Sequence, residues 1–200
     1  MSRPCWPQPG LSWRIGFVAM HQTLALRWQL PAVSIAVSAD PAEIARGEHL
    51  AHTRGCSGCH GETLAGAHMI DAGPVMQIYA PNLTRGGVLP QVDITAFEHA
   101  VRHGVGRSGQ PLLIMPAGDY SLLSNQDLAA LYAYLYSVPA QPDAQPPNVI
   151  GPLGQVLHLF GALPFAAAVE IDHTRASRGD AAPPPEQLEA WGGYIAQICT

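Results

Sequence analysis

Two cysteines and a histidine stand close together in the stretch RGCSGCHGE. Cys56 and Cys59 are three residues apart, and His60 follows the second cysteine directly. On one turn of helix this spacing turns both thiols to the same side, where each can form a thioether to a haem vinyl group. The adjacent imidazole then points at the iron. The sequence therefore predicts covalent attachment of haem c at the two cysteines, with His60 as an axial ligand.

Three other chemistries use a Cys-x-x-Cys pair. A structural zinc site needs a second pair of ligands, and because the other cysteines are Cys5 and Cys199, histidines would have to complete it. A thioredoxin-like redox pair follows a strand in a βαβ context, whereas a glycine-flanked helix is predicted here. A plain disulfide or a chance match is the third alternative. We favour haem because the whole signature, histidine included, is present.

A covalently bound haem needs a second axial ligand or an open iron position. The methionines that follow the motif are Met69, Met76 and Met115. Met115 stands in the apolar run LLIMPAGDY, far enough along the chain to reach the other face of the haem. A thioether favours Fe(II) and raises the reduction potential relative to a second histidine. We expect Met115 to be the second ligand and the other two methionines to fill the core.

Histidine is the alternative to methionine at the sixth position of the iron. The candidates are His68, His99 and His103. The last two are four residues apart on a predicted surface helix, so we expect them to be solvated. If Met115 were not a ligand, an open iron position would favour a peroxidase-like enzyme.

Helix start and stop signals surround the motif. Asp40 is placed to cap a first helix, and Asp93 is placed to cap a second helix that Gly104 ends. Ser124 opens a capping box for an apolar helix that ends before Pro139. These signals predict helices before the motif, over 94–103, and after Met115.

Glycine and proline mark the rest of this region. Residues 61–92 are rich in glycine, proline and polar turns, so we predict a long loop with little regular structure. Gly47 lies in the middle of the first predicted helix, where glycine is costly unless another helix must approach closely. A close helix crossing is therefore expected at Gly47.

The sequence resembles a class I cytochrome c domain over about residues 40–140. The resemblance rests on ARGEHLAHTRGCSGCHGE, on GP at 73–74, on YAPNLT at 79–84, and on FEHAVRHGVGRSGQPLLIMPAGDYSLLSNQDLAALYAYLYSVP. It is strongest to the cytochrome subunits of membrane-associated bacterial dehydrogenases and to related di-haem cytochromes. It implies an all-α cytochrome c fold, with three to five short helices around one covalently bound haem and an irregular C-terminal extension.

The resemblance also implies roles for single residues. The first and last helices of such a domain cross, here at Gly47 and near Leu131. The carbonyl of Pro74 is implied to accept from the ring of His60, the orienting contact that such a ligand needs. Tyr79 and Asn82 are implied to surround the haem. The sequence departs from the family at RGGVLPQVD, where a GIG…W pattern is often found.

Charge is distributed unevenly along the chain. The net charge is −5 and there is no lysine, so a nucleic-acid-binding role is excluded. Residues 1–39 contain three arginines and no acid, while residues 40–200 contain seven arginines and all 15 acids. We interpret residues 1–39 as an export signal or an anchor, which assigns the rest to the periplasm or the outer face of the cytoplasmic membrane, with possible membrane association.

The C-terminal third of the chain has a different composition. Residues 141–187 are expected to form a proline- and glycine-rich connector. Its apolar part, 149–169, has the length of a bilayer span, but polar residues and prolines favour packing on the domain. Residues 188–200 repeat features of the approach to the first motif, since WGGYIAQIC resembles RGEHLAHTRGC. We interpret 188–200 as the start of a second haem domain, cut within a second Cys-x-x-Cys-His motif at Cys199.

These patterns predict an electron-transfer protein rather than an enzyme. The expected reaction is single-electron transfer through one haem c in an exported respiratory or dehydrogenase-linked chain. Redox proteins are the expected partners, with a dehydrogenase as donor and a cytochrome or oxidase as acceptor. The alternative is a haem peroxidase-like enzyme with an open or releasable iron position.

Overall fold

The computed structural model describes residues 10–142, 144–174 and 179–196. These residues form eight α-helices, three strands and two 3-10 turns. The helices are α1 (Gly10–Ala25), α2 (Pro41–Thr53), α3 (Cys56–His60), α4 (Ile94–His103), α5 (Ala117–Tyr120), α6 (Asn125–Ser137), α7 (Pro152–Leu159) and α8 (Leu188–Ile195). The strands are β1 (Ala67–Asp71), β2 (Met76–Ala80) and β3 (Val149–Ile150), and the 3-10 turns are Leu89–Gln91 and Ala167–Val169. No helix within these ranges has the length and apolarity that crossing a membrane requires.

The helices of the domain begin and end at the residues that the sequence predicted. Oδ1 of Asp40 accepts from the amide of Ala42 at 2.8 Å, and Oδ1 of Asp93 accepts from Ala96 at 2.8 Å. Ser124 caps α6 by accepting from the Asp127 amide at 3.1 Å. These side chains satisfy amides that the first turn of a helix leaves unpaired.

Helices α2 and α6 cross at Gly47, as predicted. A Cβ atom on Gly47 would lie 2.0 Å from the carbonyl oxygen of Ala130 and 2.7 Å from Cβ of Tyr134, so only glycine fits. The crossing brings Leu50 of α2 into the same buried cluster as Leu131 of α6. The two helices therefore form the frame of the core.

The predicted loop over 61–92 is wrong in part, because it contains two strands. β1 and β2 form an antiparallel hairpin, and β3 pairs with the other edge of β2, where Met76 lies opposite Ile150. The structure is thus mainly helical with a small three-stranded sheet, which agrees roughly with the predicted all-α class. The third strand comes from the tail, so a local reading of residues 61–92 could not reveal the pairing.

Both flanking segments pack on the domain. Helix α1 lies against α7, where Oγ1 of Thr23 is 3.0 Å from Nε2 of His158. Past α1, the amide of Trp28 donates to the Gly109 carbonyl at 2.9 Å. At the other end, Tyr194 of α8 is buried in the core cluster. The export role of residues 1–39 and the second motif stay predictions, and Cys199 lies outside the described residues.

Candidate haem site

The motif forms a one-turn helix with a glycine at each end. Gly55 and Gly61 have φ angles of 77° and 80°, a left-handed backbone that glycine adopts at little cost. The helix α3 between them carries Cys56, Cys59 and His60. Both thiols are half-buried and free. The turn therefore presents the two thiols and the imidazole from a single short element, as the spacing predicted.

A largely apolar cavity brings the predicted ligands together. Cys56, Cys59, His60 and Met115 all line it. Most of the remaining wall is apolar and comes from several elements: Ala51, Leu83, Phe97, Val101, Leu131 and Leu135.

The ring of His60 is oriented by a backbone carbonyl. Its Nδ1 lies 2.8 Å from the carbonyl oxygen of Pro81, and because that oxygen can only accept, Nδ1 carries the proton. Burial lowers the pKa of His60, while the bond to Pro81 opposes that shift. The ring is thereby held neutral with Nε2 as its free lone pair, which is the form that coordinates a metal.

The role implied for Pro74 is wrong, because Pro81 supplies the carbonyl. Pro74 lies in the turn between β1 and β2, and its oxygen accepts from the amide of Leu153 at 3.3 Å. The hairpin carries Pro74 to the sheet edge beside the tail. The residue that orients His60 stands instead in YAPNLT, one of the segments that supported the resemblance.

Tyr79 lies two residues before Pro81 and Asn82 directly follows it, but neither side chain lines the cavity. The ring of Tyr79 stacks on His68 with centroids 4.4 Å apart. Asn82 is buried and accepts from both the amide and the hydroxyl of Thr84, at 2.8 and 2.7 Å. Asn82 therefore shapes the turn that follows Pro81.

Met115 reaches the cavity from the loop before α5. It is half-buried, and the preceding residue, Ile114, has a φ of 62°. A β-branched residue rarely adopts this left-handed conformation, which costs about 1–3 kcal/mol and persists only where the surroundings hold it. Met69 and Met76 lie on β1 and β2 and do not line the cavity.

The three histidines considered as alternative ligands also lie away from the cavity wall. His68 stacks on Tyr79 in the sheet. Nε2 of His99 is 3.0 Å from the Pro31 carbonyl, and Nδ1 of His103 is 2.8 Å from Nδ1 of His173. In the described part of the chain, Met115 is thus the one of these candidate side chains that lines the cavity together with His60.

The surroundings of the two thiols do not offer the further ligands that a structural zinc site needs. Burial raises the pKa of Cys56 to about 11, and the neighbouring Cys59 adds to that rise. Within the described ranges, no group of three or more His, Cys, Asp or Glu side chains is arranged to hold a metal ion.

Two polar residues of the wall were not singled out from the sequence. Arg54 is 7 % exposed and lines the cavity, and its Nη1 donates to the carbonyl of Ile195 at 3.1 Å. Tyr120 donates its hydroxyl to the carbonyl of Arg54 at 2.7 Å, and burial raises the pKa of Tyr120. An arginine two residues before a cysteine gives no sequence signal of burial, because most arginines are exposed.

The residues present fit a covalently bound haem. The cavity combines two free thiols on one helical turn, a neutral imidazole with an oriented ring, a thioether, and apolar walls. The thiols can anchor a haem edge, while imidazole and thioether are the nitrogen and sulfur ligands of low-spin haem iron. Apolar walls keep water from such an iron and help to set its potential.

Comparisons with known proteins agree with this fit. The profile of the family described as "Cytochrome C oxidase, cbb3-type, subunit III" matches residues 42–135. The chain is 30 % identical over 158 residues to the fructose dehydrogenase cytochrome subunit of Gluconobacter japonicus, covering 72 % of this chain and 32 % of that protein. It is 38 % identical over 103 residues to the gluconate 2-dehydrogenase cytochrome c subunit of Pantoea cypripedii, covering 48 % and 23 %.

A third relative is the cytochrome c subunit of a quinone-dependent alcohol dehydrogenase of Komagataeibacter europaeus. It is 35 % identical over 118 residues, which is 54 % of this chain and 25 % of that protein. The chain thus spans about a third or less of the length of these curated relatives. The match covers all the residues that line the haem cavity, because these run from Ala51 to Leu135.

Proposed function

Because the chain belongs, through residues 42–135, to the c-type cytochrome domains of this family, we propose that it transfers single electrons through one covalently bound haem c. The observation that carries the proposal is the shared cavity of Cys56, Cys59, His60 and Met115. When bound, the haem supplies an iron that alternates between Fe(III) and Fe(II). The protein's part is to hold that iron and to exclude water from it.

Each ligand has its own task in this proposal. Cys56 and Cys59 anchor the haem by thioethers, which fixes it with respect to α3. His60 binds the iron through Nε2, since Nδ1 is engaged by Pro81. Met115 would supply a second ligand, a soft sulfur that would stabilise Fe(II).

Ligation by both His60 and Met115 would favour electron transfer over catalysis at the iron. A peroxidase needs a position that substrate can reach. The lining contains Met115 together with apolar side chains such as Phe97 and Val101, and no histidine other than His60 lies in it. The lining therefore offers no second histidine as a distal acid or base, and its polar side chains Arg54 and Tyr120 donate to backbone carbonyls.

The names of the relatives support a role beside a dehydrogenase. All three are cytochrome subunits of enzymes that oxidise fructose, gluconate or alcohol, as their names state. We propose that a dehydrogenase subunit reduces this chain and that a cytochrome or oxidase reoxidises it. We further propose that it works in the periplasm or on the outer face of the membrane, with residues 1–39 as export signal or anchor.

The test is the absorption spectrum of the full chain produced in a host that attaches haem c. The proposal expects haem that stays with the polypeptide after denaturation and a six-coordinate, low-spin spectrum in both oxidation states. A high-spin ferric spectrum would favour the peroxidase-like alternative. Polypeptide that never acquires covalent haem, although a control cytochrome does in the same host, would overturn both.

A further inference from the structure

A segment of the tail packs behind the loop that carries Met115. We call residues 165–173 the tail brace. Phe165 and Ala168 are each only 1 % exposed, and Ala166 is 4 % exposed. An open connector would not bury three neighbouring residues so fully. The brace is therefore part of the folded domain, although it lies beyond the residues that match the family.

The first contact of the brace is to the backbone next to Met115. The amide of Ile114 donates to the carbonyl oxygen of Phe165 at 2.8 Å. Ile114 has the left-handed φ of 62°, which a β-branched residue keeps only where its surroundings hold it. The hydrogen bond to Phe165 is one such constraint, and it acts on Ile114, the residue immediately before the expected ligand Met115.

The second contact joins the brace to the end of α4. A Cβ atom on Gly104 would lie 3.3 Å from the amide nitrogen of Ala168 and 3.1 Å from Cβ of Ala117. The carbonyl of Gly104 accepts from the amide of Leu112 at 2.7 Å. The brace, the end of α4, the Met115 loop and the start of α5 therefore meet at this glycine.

The third contact fastens the C-terminal end of the brace. Nε2 of His173 is 3.0 Å from the Ala168 carbonyl, and its Nδ1 is 2.8 Å from Nδ1 of His103 on α4. A carbonyl only accepts, so Nε2 carries the proton of a neutral His173, and its Nδ1 accepts from His103. The ring of Trp28 meets His173 edge-on with centroids 5.7 Å apart.

We propose that the tail brace is a positioning element that holds the Met115 loop so that the thioether faces the haem iron. This rests on the proposed role of Met115 as axial ligand. Without the brace, Ile114 relaxes from its left-handed conformation and Met115 turns away from the cavity. Haem attachment is unaffected, because Cys56, Cys59 and His60 lie on a different element.

Two adjacent residues of the brace provide a matched pair of variants. Ala168 is buried, whereas its neighbour Val169 is 55 % exposed. Ala168→Asp forces a carboxylate into the contact with Gly104, and Val169→Asp places the same group in solvent. Each variant is made in the full haem-loaded chain, and covalent haem content is measured together with the proton resonances of an iron-bound methionine methyl and the reduction potential.

The brace predicts that Ala168→Asp keeps its covalent haem, loses the bound-methionine signal and has a lower potential. Val169→Asp should match the unsubstituted chain in all three measurements. If Ala168→Asp keeps the methionine signal and the potential, the brace does not position Met115. If the unsubstituted chain itself lacks the methionine signal, the ligand role of Met115 fails first, and the brace proposal falls with it.

If the Ala168→Asp protein cannot be obtained in folded form, a milder variant tests the same proposal. His173→Ala removes the ring contact to His103 and leaves the buried brace residues in place. We expect the methionine signal to vanish at a lower denaturant concentration than the helical circular dichroism, with His173→Gln closing part of that gap. The contrary result is that His173→Ala loses the methionine signal and the helical circular dichroism at the same denaturant concentration, as in the unsubstituted chain. The brace then has only a structural role, and the proposal is overturned.

Discussion

The carbonyl oxygen of Pro81 lies 2.8 Å from Nδ1 of His60 and thereby sets both the tautomer and the orientation of that ring. Pro81 is itself held by the turn that follows it, in which Asn82 binds Thr84 and donates to the Gln141 carbonyl at 2.8 Å. The buried side chain of Asn82 thus stabilises the turn after Pro81, and Pro81 in turn orients His60, the expected iron ligand.

Replacing Asn82 should weaken this support. Asn82→Ala leaves the amide and hydroxyl of Thr84, which is fully buried, without their acceptor. The free energy of unfolding should fall by about 1–3 kcal/mol, the cost of leaving a buried polar group unpaired. Chemical denaturation of the haem-loaded chain measures this. Asn148→Ala is the control, since Asn148 is exposed, and an equal loss in both variants would contradict the account.

The α2–α6 crossing gives a second prediction. Gly47→Ala places a Cβ 2.0 Å from the Ala130 carbonyl, so the helices must separate. Overpacking of this kind costs about 1–3 kcal/mol or more, and we expect a lower midpoint of thermal unfolding. Gly192→Ala in α8 is the matched control, because nothing lies within 4 Å of its Cβ. A Gly47→Ala protein as stable as the unsubstituted chain would contradict the crossing.

Helix α8 is docked through a polar network, which gives a third prediction. The hydroxyl of Tyr194 donates to Asp127, a residue that also pairs with Arg46, and accepts from the amide of Ser124 at 2.9 Å. Tyr194→Phe leaves these buried groups without their partner and should destabilise the fold by about 1–3 kcal/mol.

The readout for Tyr194→Phe is faster proteolysis near α8, followed by mass spectrometry of the fragments. Tyr136→Phe serves as control because Tyr136 is 38 % exposed, and its unfolding free energy should change by no more than about 0.5 kcal/mol. Unchanged proteolysis of the tail in Tyr194→Phe would show that α8 does not depend on this network.

Stability should depend on pH through His173. Burial, and next the nearby His103, lower the pKa of His173 below its ordinary value of about 6.5. The unfolded chain therefore binds this proton more readily than the native one. The stabilisation is fully present above about pH 6.5 and is lost as the pH falls from there towards the lowered pKa.

The measurement is the unfolding free energy at several pH values between about 5 and 8. His173→Gln cannot be protonated, so the decline below about pH 6.5 should be shallower in this variant. The carbonyl of Ala168, the ring of Trp28 and the carboxylate of Asp172 surround the same side chain and are unchanged in both proteins. Identical pH profiles would exclude His173 as the source of the decline.

Local signals in the sequence predicted much of this domain. Asp40, Asp93 and Ser124 cap the helices because a cap depends on the next two or three residues, which the sequence shows side by side. Gly47 predicted the helix crossing because glycine destabilises the interior of a helix and is expected there only where another helix approaches closely. The haem motif could also be recognised from the sequence, because its three residues lie on one helical turn.

Contacts between distant parts of the chain could not be predicted in this way. Strand β3 pairs with β2 although Gln77 and its partner Val149 are 72 residues apart in the chain, and nothing in either short segment specifies the other. Pro74 and Pro81 both lie between the cysteine motif and α4, so the sequence does not distinguish them. The β1–β2 hairpin places the carbonyl of Pro81, and not that of Pro74, beside His60. The burial of Phe165 depends on the shape of the Met115 loop, which a sequence pattern does not contain.

The most direct test of the whole account is the spectrum of Met115→Ala beside that of Met76→Ala. Met76 is a half-buried methionine on β2 that does not line the cavity, so it controls for the loss of a thioether elsewhere. We expect Met115→Ala to convert low-spin ferric haem to high-spin and to lower the reduction potential, while covalent haem content and the Met76→Ala spectrum stay as in the unsubstituted chain. A low-spin spectrum and an unchanged potential in Met115→Ala would show that another residue binds the iron and would contradict the proposed site.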